Sequence, residues 1–451
     1  MRPGVWGPYA KIRRSMKSQQ PLISRRFCIF LALLAAGLGL ACQRSETLDP
    51  GEWPQFRGPD GLGLSSAEHL PETWSEESDN ILWKTRIRGK GNSSPIVSHG
   101  RVFLTTSTPE GKKNIRKWVF GLDLETGELL WETLLETAPK NKRHHVNTWA
   151  APTPVTDGSS VFVHFGDVLA ALDRDGQILW KVTVDPQYVE YSHYGAASSP
   201  VLLEGAVLVF QDRETVDDKP GWMAAFDRDT GAELWRTTWV DTCCSYVTPL
   251  VQRRGEKDEI ILLMAGSVRG FDAQSGEELW REPFDTDQPV ASAVTEGNVL
   301  AVFSGAHTHR HGAVFELSGQ GTEGTATLLW DTTRMIPQTA SPILQNGLLF
   351  TVTEQGIIVC TDVMTGERHW KQRLPTGTYR ASLIAGDGKI FAVSSTGNTA
   401  VVAAKEKFEL IANNPLGKGS NASPAAAEDS LLIRAESALY RIGSSSGTGP
   451  S

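Results

Sequence analysis

Three groups of residues in this chain have the types and spacing to do chemistry. Cys243 and Cys244 are adjacent. They read as two reduced or buried thiols; a bridge between neighbours is the alternative, and it strains the backbone. His307, His309 and His311 alternate as ligands do along one strand face, the spacing of a zinc or copper site. Gly305-Ala306 before them and Gly312 after them mark an exposed turn, so a solvated loop is the plainer reading and no metal is assigned. The third group stands just ahead of a repeated small-residue step. It comprises Asn92, Trp149, Tyr194, and Cys244 or Tyr246. It continues with Gln288, Gln338, Tyr379 with Arg380, and Asn421. His144 and His145, followed by Asn147, adjoin it. One polar or aromatic residue per step makes a channel rim able to hold a small polar ligand; the alternative is a mouth that holds only water.

The steps belong to a repeat of roughly 40–55 residues, the range of propeller blades. Each unit opens on small residues and Pro, as in Ser93-Ser94-Pro95, Ser199-Pro200 and Ser341-Pro342. Short apolar runs follow, separated by polar turns, and read as strands. The third run ends in Asp, as at Asp123, Asp173, Asp227, Asp272 and Asp362. A Thr-Gly turn comes next in the best copies, and the fourth run ends in Leu-Trp. The Asp accepts hydrogen bonds from the turn, the Gly supplies a left-handed φ, and the Trp packs on the neighbouring unit. Such units cannot bury both faces alone, so they must stack.

Counting fixes the closure. Ile81-Leu82-Trp83-Lys84 is a fourth-strand pattern that precedes the first opening. The last opening, at Pro424, has no fourth strand after it. The expectation is an all-β, eight-bladed propeller of four-stranded antiparallel blades spanning 76–443, closed by an N-terminal outer strand that completes the last blade. A seven-bladed or incomplete ring is the alternative, because the fifth and seventh copies are eroded. Residues 444–451 are expected to be a disordered tail.

Residues 1–41 carry seven Lys/Arg, no acid, and an apolar stretch from Phe27 to Ala41. That is the make-up of a signal peptide. It ends at Gly39-Leu40-Ala41-Cys42, which resembles a bacterial lipobox with Cys42 as the lipidated residue. An ordinary cleaved signal is the alternative. Residues 42–75 then read as a leader or linker. Removing 1–41 leaves 37 basic against 52 acidic residues, a net charge of −15. Such a surface repels nucleic acid and suits a body held at a membrane by lipid. Four cysteines remain in the mature chain, too few for a disulfide framework.

The Asp-x-x-Thr-Gly-x-x-x-Trp pattern and the small-small-Pro openings resemble the pyrroloquinoline-quinone (PQQ)-like propeller family, over about residues 80–442. Trp53-Pro54-Gln55-Phe56-Arg57-Gly58-Pro59 and Trp74 resemble the leader of a secreted bacterial branch of that family. The family includes PQQ dehydrogenases and also non-enzymatic members such as the lipoprotein of the outer-membrane protein assembly machine. In some of the dehydrogenases a vicinal disulfide lies against the cofactor, which gives Cys243-Cys244 a second reading. A PQQ dehydrogenase also needs metal ligands, cations for the cofactor carboxylates, an aromatic floor and an acidic base. That set does not assemble from the sequence, and no nucleophile elbow, His-Glu-x-x-His or phosphate-binding loop is present. The expected function is therefore a non-catalytic binding or scaffolding propeller with no catalytic residue assigned. It would be monomeric, periplasmic, lipid-anchored and partnered by envelope proteins. The alternative is a quinoprotein oxidoreductase using PQQ and Ca²⁺ on an alcohol or sugar.

Overall fold

The computed structural model describes residues 51–188, 193–212, 220–306, 308–419 and 421–443. The signal peptide expected at 1–41, Cys42, His307 and the tail at 444–451 lie outside the described residues.

The chain forms eight four-stranded antiparallel sheets, one per repeat. In seven of them the four strands are consecutive. The eighth joins Ala425–Ala427, Ser430–Arg434 and Ala438–Gly443 to Ile81–Arg86 from the other end of the propeller sequence. Trp83 stands opposite Arg441 and Lys84 opposite Tyr440. This is the closure that counting predicts, and it leaves no blade short of its outer strand. The middle strands are apolar and buried on both faces, as in Ser430–Arg434 and Val168–Asp173. Core clusters therefore run across blade boundaries; one joins Phe210, Leu262 and Phe315 from three successive blades.

Trp and Gly of the repeat act together between blades. Gly127, Gly176, Gly231, Gly276 and Gly366 all have positive φ. Each also faces the Trp of the preceding blade so closely that a Cβ would clash with the indole. The indole Nε1 then donates to the residue after the next blade's turn aspartate. Trp83 reaches Leu124 O at 2.8 Å, Trp131 reaches Arg174 O at 2.8 Å and Trp330 reaches Val363 O at 2.7 Å. The aspartates fill their expected role: Asp123 Oδ1 accepts from the Thr126 N–H at 2.8 Å and its hydroxyl at 2.9 Å. Those bonds hold the Asp123 carboxyl below its ordinary pKa. Trp280 departs from the pattern. Its Nε1 donates to Glu259 Oε1 of its own blade at 2.6 Å.

Residues 51–75, read from sequence as a leader or linker, are packed onto the propeller. Trp53, Arg57, Leu70 and Trp74 are all buried. Trp53 exchanges backbone hydrogen bonds of 2.8 Å with Val97 in blade one. Thr156 N, in blade two, donates to Pro54 O at 2.9 Å. On the far side Gly63 and Ser65 make 2.8 Å backbone bonds with Ala385 in blade seven. The Arg57 guanidinium donates to Leu62 O at 2.7 Å and to Pro342 O in blade six. The leader thus spans the end of the channel where the inner strands finish. Aromatic and small residues drive this, because Trp53 seats on Gly58, whose φ is +82° and whose missing Cβ makes the room.

His164 ends an inner strand of blade two and is 2% exposed. Burial pushes its pKa from 6.5 down to about 4. Between those values the unfolded chain binds a proton that the folded chain refuses, so stability rises with pH through this window. Acidification from pH 6.5 to 4 is expected to cost about 3 kcal/mol through this residue. Urea unfolding at both pH values measures it: a His164→Gln variant should lose less stability on acidification than the parent. Equal losses would refute the assignment.

Candidate functional site

The antiparallel meander sorts the loops. The small-residue steps, and the turns between second and third strands, lie at one rim. The Asp-x-x-Thr-Gly turns lie at the other. The first rim opens into a cavity of about 530 Å³ on the channel axis. Phe56 of the leader lies in its lining, so the channel is a cup with one mouth.

Its wall is a belt of hydroxyls, one from each blade, each the residue just before the Pro or its equivalent. All eight line the cavity. They are clasped in one direction around the ring. Ser94 N donates to Thr153 Oγ1 at 3.0 Å and Thr153 N to Ser199 Oγ at 3.0 Å. Ser199 N donates to Thr248 Oγ1 and Thr248 N to Ser292 Oγ, both at 3.1 Å. Ser292 N reaches Ser341 Oγ at 2.9 Å, Ser341 N reaches Ser382 Oγ at 3.1 Å, and Ser382 N reaches Ser423 Oγ at 2.9 Å. The eighth clasp, from Ser423 to Ser94, is not made, and Ser94 Oγ is buried without a partner. Arg434, fully buried across this seam, donates instead to Ser93 O at 2.6 Å and Thr105 O at 3.1 Å. The sequence motif thus encodes more than a strand start: its hydroxyl fastens blade to blade.

The rim assembles ten of the residues singled out in sequence: Asn92, His144, His145, Asn147, Tyr194, Tyr246, Gln288, Gln338, Arg380 and Asn421 all line the cup. Three expectations are corrected. Trp149 faces away, under Arg143 at 4.3 Å and beside a separate small cleft, because the loop 140–149 folds its basic residues over the indole. Tyr379 is 1% exposed, its hydroxyl donating to Pro375 O at 2.8 Å, and burial pushes its pKa up to about 12. Cys243 and Cys244 are disulfide-bonded rather than reduced, with Cys244 held at φ +71°, and neither lines the cup. Of the histidine triplet, the two described members, His309 and His311, bind separate partners. His309 Nδ1 meets Asp285 at 2.9 Å, while His311 Nε2 meets Asp331 at 2.8 Å and stacks on Phe284. Among the described residues no three His, Cys, Asp or Glu side chains cluster as a metal site.

Sequence reading missed Arg310, Glu354 and Phe56 in the lining. The first two sit in connections between second and third strands, which share the rim with the steps; that topological rule was the available signal. Among the described residues Glu354 is the one carboxylate in the lining, and Arg380 Nε holds it at 2.8 Å. Arg310 is exposed. On the opposite wall the His144 and His145 rings lie with centroids 4.2 Å apart and planes tilted by 47°, and Tyr194 meets Tyr246 edge-on at 5.9 Å. Partial burial, then the neighbouring His145, lowers the His144 pKa. Their loop is tied across the mouth, because Asn92 and Asn421 both donate to Val146 O, at 3.1 and 3.2 Å.

A family model described as outer membrane protein assembly factor BamB, a PQQ-type repeat, matches residues 72–187 and 116–372. The chain belongs to this PQQ-like propeller family. It is 23% identical over 397 residues to outer membrane protein assembly factor BamB of Yersinia pestis, covering 82% of this chain and 89% of that one. It is 28% identical over 250 residues to the alcohol dehydrogenase (quinone) dehydrogenase subunit of Gluconobacter oxydans (strain 621H), covering 52% of this chain and 31% of that one. The chain spans less than a third of the length of three of the curated relatives it matches. Quinohemoprotein alcohol dehydrogenase from Comamonas testosteroni superposes with a TM-score of 0.64 at 12% identity, over 89% of this chain and 82% of that structure. At that identity the likeness speaks to the fold. Relatives in the PQQ-like family thus include both dehydrogenases and assembly factors.

The cup does not fit a Ca²⁺–PQQ pair. Calcium takes several oxygen ligands with carboxylates among them, and the one carboxylate among the described lining residues is already held by Arg380. The aspartates of the repeat are bound into turns at the other rim. The disulfide that would lie against the cofactor is outside the cup.

Proposed function

We propose that this chain is a non-catalytic binding and scaffolding propeller on the outer side of a bacterial membrane, anchored by lipid at Cys42. The observation that carries this reading is Glu354: among the described residues it is the one carboxylate in the cup lining, and it is spent on an ion pair with Arg380, which leaves no free carboxylate there to serve as a base. The match to assembly factor BamB over most of both chains supports a place among envelope proteins that handle outer-membrane assembly. The closed ring of eight complete blades suits a rigid platform. A quinoprotein oxidoreductase is the second reading, supported by the Gluconobacter relative and by the Cys243–Cys244 disulfide.

Titration with PQQ and Ca²⁺, followed by absorbance, separates the two. No stoichiometric binding and no dye reduction with alcohols or sugars is the expected result; both together would overturn the first reading. The anchor has its own test. Cys42→Ser is expected to move the protein from the membrane fraction to the soluble one, and equal partition of both forms would refute lipidation.

A further inference from the structure

The eight belt hydroxyls have unused protons. A hydroxyl carries one donor and two acceptor sites. In seven of the eight the oxygen accepts a neighbouring blade's N–H, and no described residue takes the hydroxyl proton. All eight residues line the cup, where a ligand can take these protons. Two further buried atoms in the lining lack partners: Ser94 Oγ and Asn421 Oδ1, on adjacent blades at the seam. The second of these is an acceptor only, so it asks for a donor. Buried polar groups left unpaired are costly, and a ligand that pairs them recovers that cost.

Charge narrows the ligand. Among the described lining residues Arg310 and Arg380 outnumber the one carboxylate, Glu354, in a mature chain whose net charge is −15. The His144–Tyr194–Tyr246 wall offers ring faces and edges to a non-planar carbon skeleton. Tricarboxylate PQQ brings too much negative charge without the calcium ligands to offset it. A neutral sugar leaves Arg310 unanswered, and a simple carboxylate leaves Asn421 Oδ1 unanswered.

We propose that the cup is a binding site for one small polyhydroxylated acid bearing a single carboxylate, the size of a sugar acid. Arg310 and the belt protons meet its carboxylate and hydroxyl oxygens, and Asn421 Oδ1 and Ser94 Oγ meet its hydroxyl protons. The inference goes beyond the scaffolding role and stands or falls apart from it.

Calorimetric titration of the full mature chain tests it, with gluconate and glucuronate as probes and glucose, acetate and PQQ with Ca²⁺ as comparators. At least one sugar acid is expected to bind one to one, about tenfold or more tighter than glucose or acetate. Arg310→Gln is expected to remove that preference. Ser94→Ala, which breaks no clasp, should leave the melting temperature unchanged and weaken binding about threefold to tenfold. Failure of both sugar acids to bind, equal affinity for acetate, or an Arg310→Gln variant that keeps the preference would each overturn the proposal. So would stoichiometric PQQ binding displaced by neither acid. None of these results bears on membrane release or partner capture.

Discussion

Replacing Trp83 with alanine is expected to lower the free energy of unfolding by about 3–5 kcal/mol, the range for a large aromatic removed from a core. Trp83 is 8% exposed, although it sits on the outermost strand of its blade. Its ring lies over Gly127, and its Nε1 bond to Leu124 O crosses from blade eight to blade one. The same strand carries a second link, Thr85 Oγ1 to Gly127 O at 2.6 Å. The loss therefore falls on the strand that closes the ring, which pairs within blade eight with residues more than 350 positions away in sequence. Leu82→Ala is the matched control. Leu82 is 48% exposed, and its removal should stay within about 0.5 kcal/mol. Denaturant unfolding of the two variants decides the matter: similar small losses would mean that the closing strand adds little. Deleting residues 76–86 should be worse than either, since it leaves a three-stranded blade with an open edge.

Trp53→Ala is expected to cost a similar amount, about 3–5 kcal/mol, for a different reason. Trp53 is 1% exposed and belongs to no blade. Its Nε1 has no partner, so its contribution is packing alone. It fixes the leader at blade one, and with it Phe56 at the base of the cup. Amide exchange at Val97 and Thr156, which bond the leader backbone, should quicken in the variant before the rest of the propeller responds. If Trp53→Ala leaves stability and these amides unchanged, the leader is a passenger rather than part of the fold.

The fold was legible because its signals repeat. The Asp and Thr-Gly of one turn are weak in isolation, but several copies at blade spacing leave few other architectures. The count of openings against Leu-Trp endings even located the seam. The leader was not legible as packed structure. Its contacts with Val97, Pro342 and Ala385 are long-range, and no local periodicity announces them. The rim was half legible. Residues ahead of each step were found because the motif marks them, yet the position alone does not fix side-chain direction, and so Trp149 and Tyr379 turned elsewhere. Arg310 and Glu354 carry no motif; only the meander brings their turns to the same rim. The cysteine pair shows the opposite error. Strain argued against a bridge, but a single left-handed residue, Cys244, absorbs it.

The unidirectional belt has a mechanical consequence. Seven identical fasteners and one missing one make the boundary between blades eight and one different in kind from the others. Where the backbone clasp is absent, side chains cross instead: Trp83 to Leu124 O, Thr85 to Gly127 O, Arg434 to Ser93 O and Thr105 O, and Arg441 to Leu124 O. The catch of this bracelet is therefore bolted by side chains, while its other links are hooked by hydroxyls.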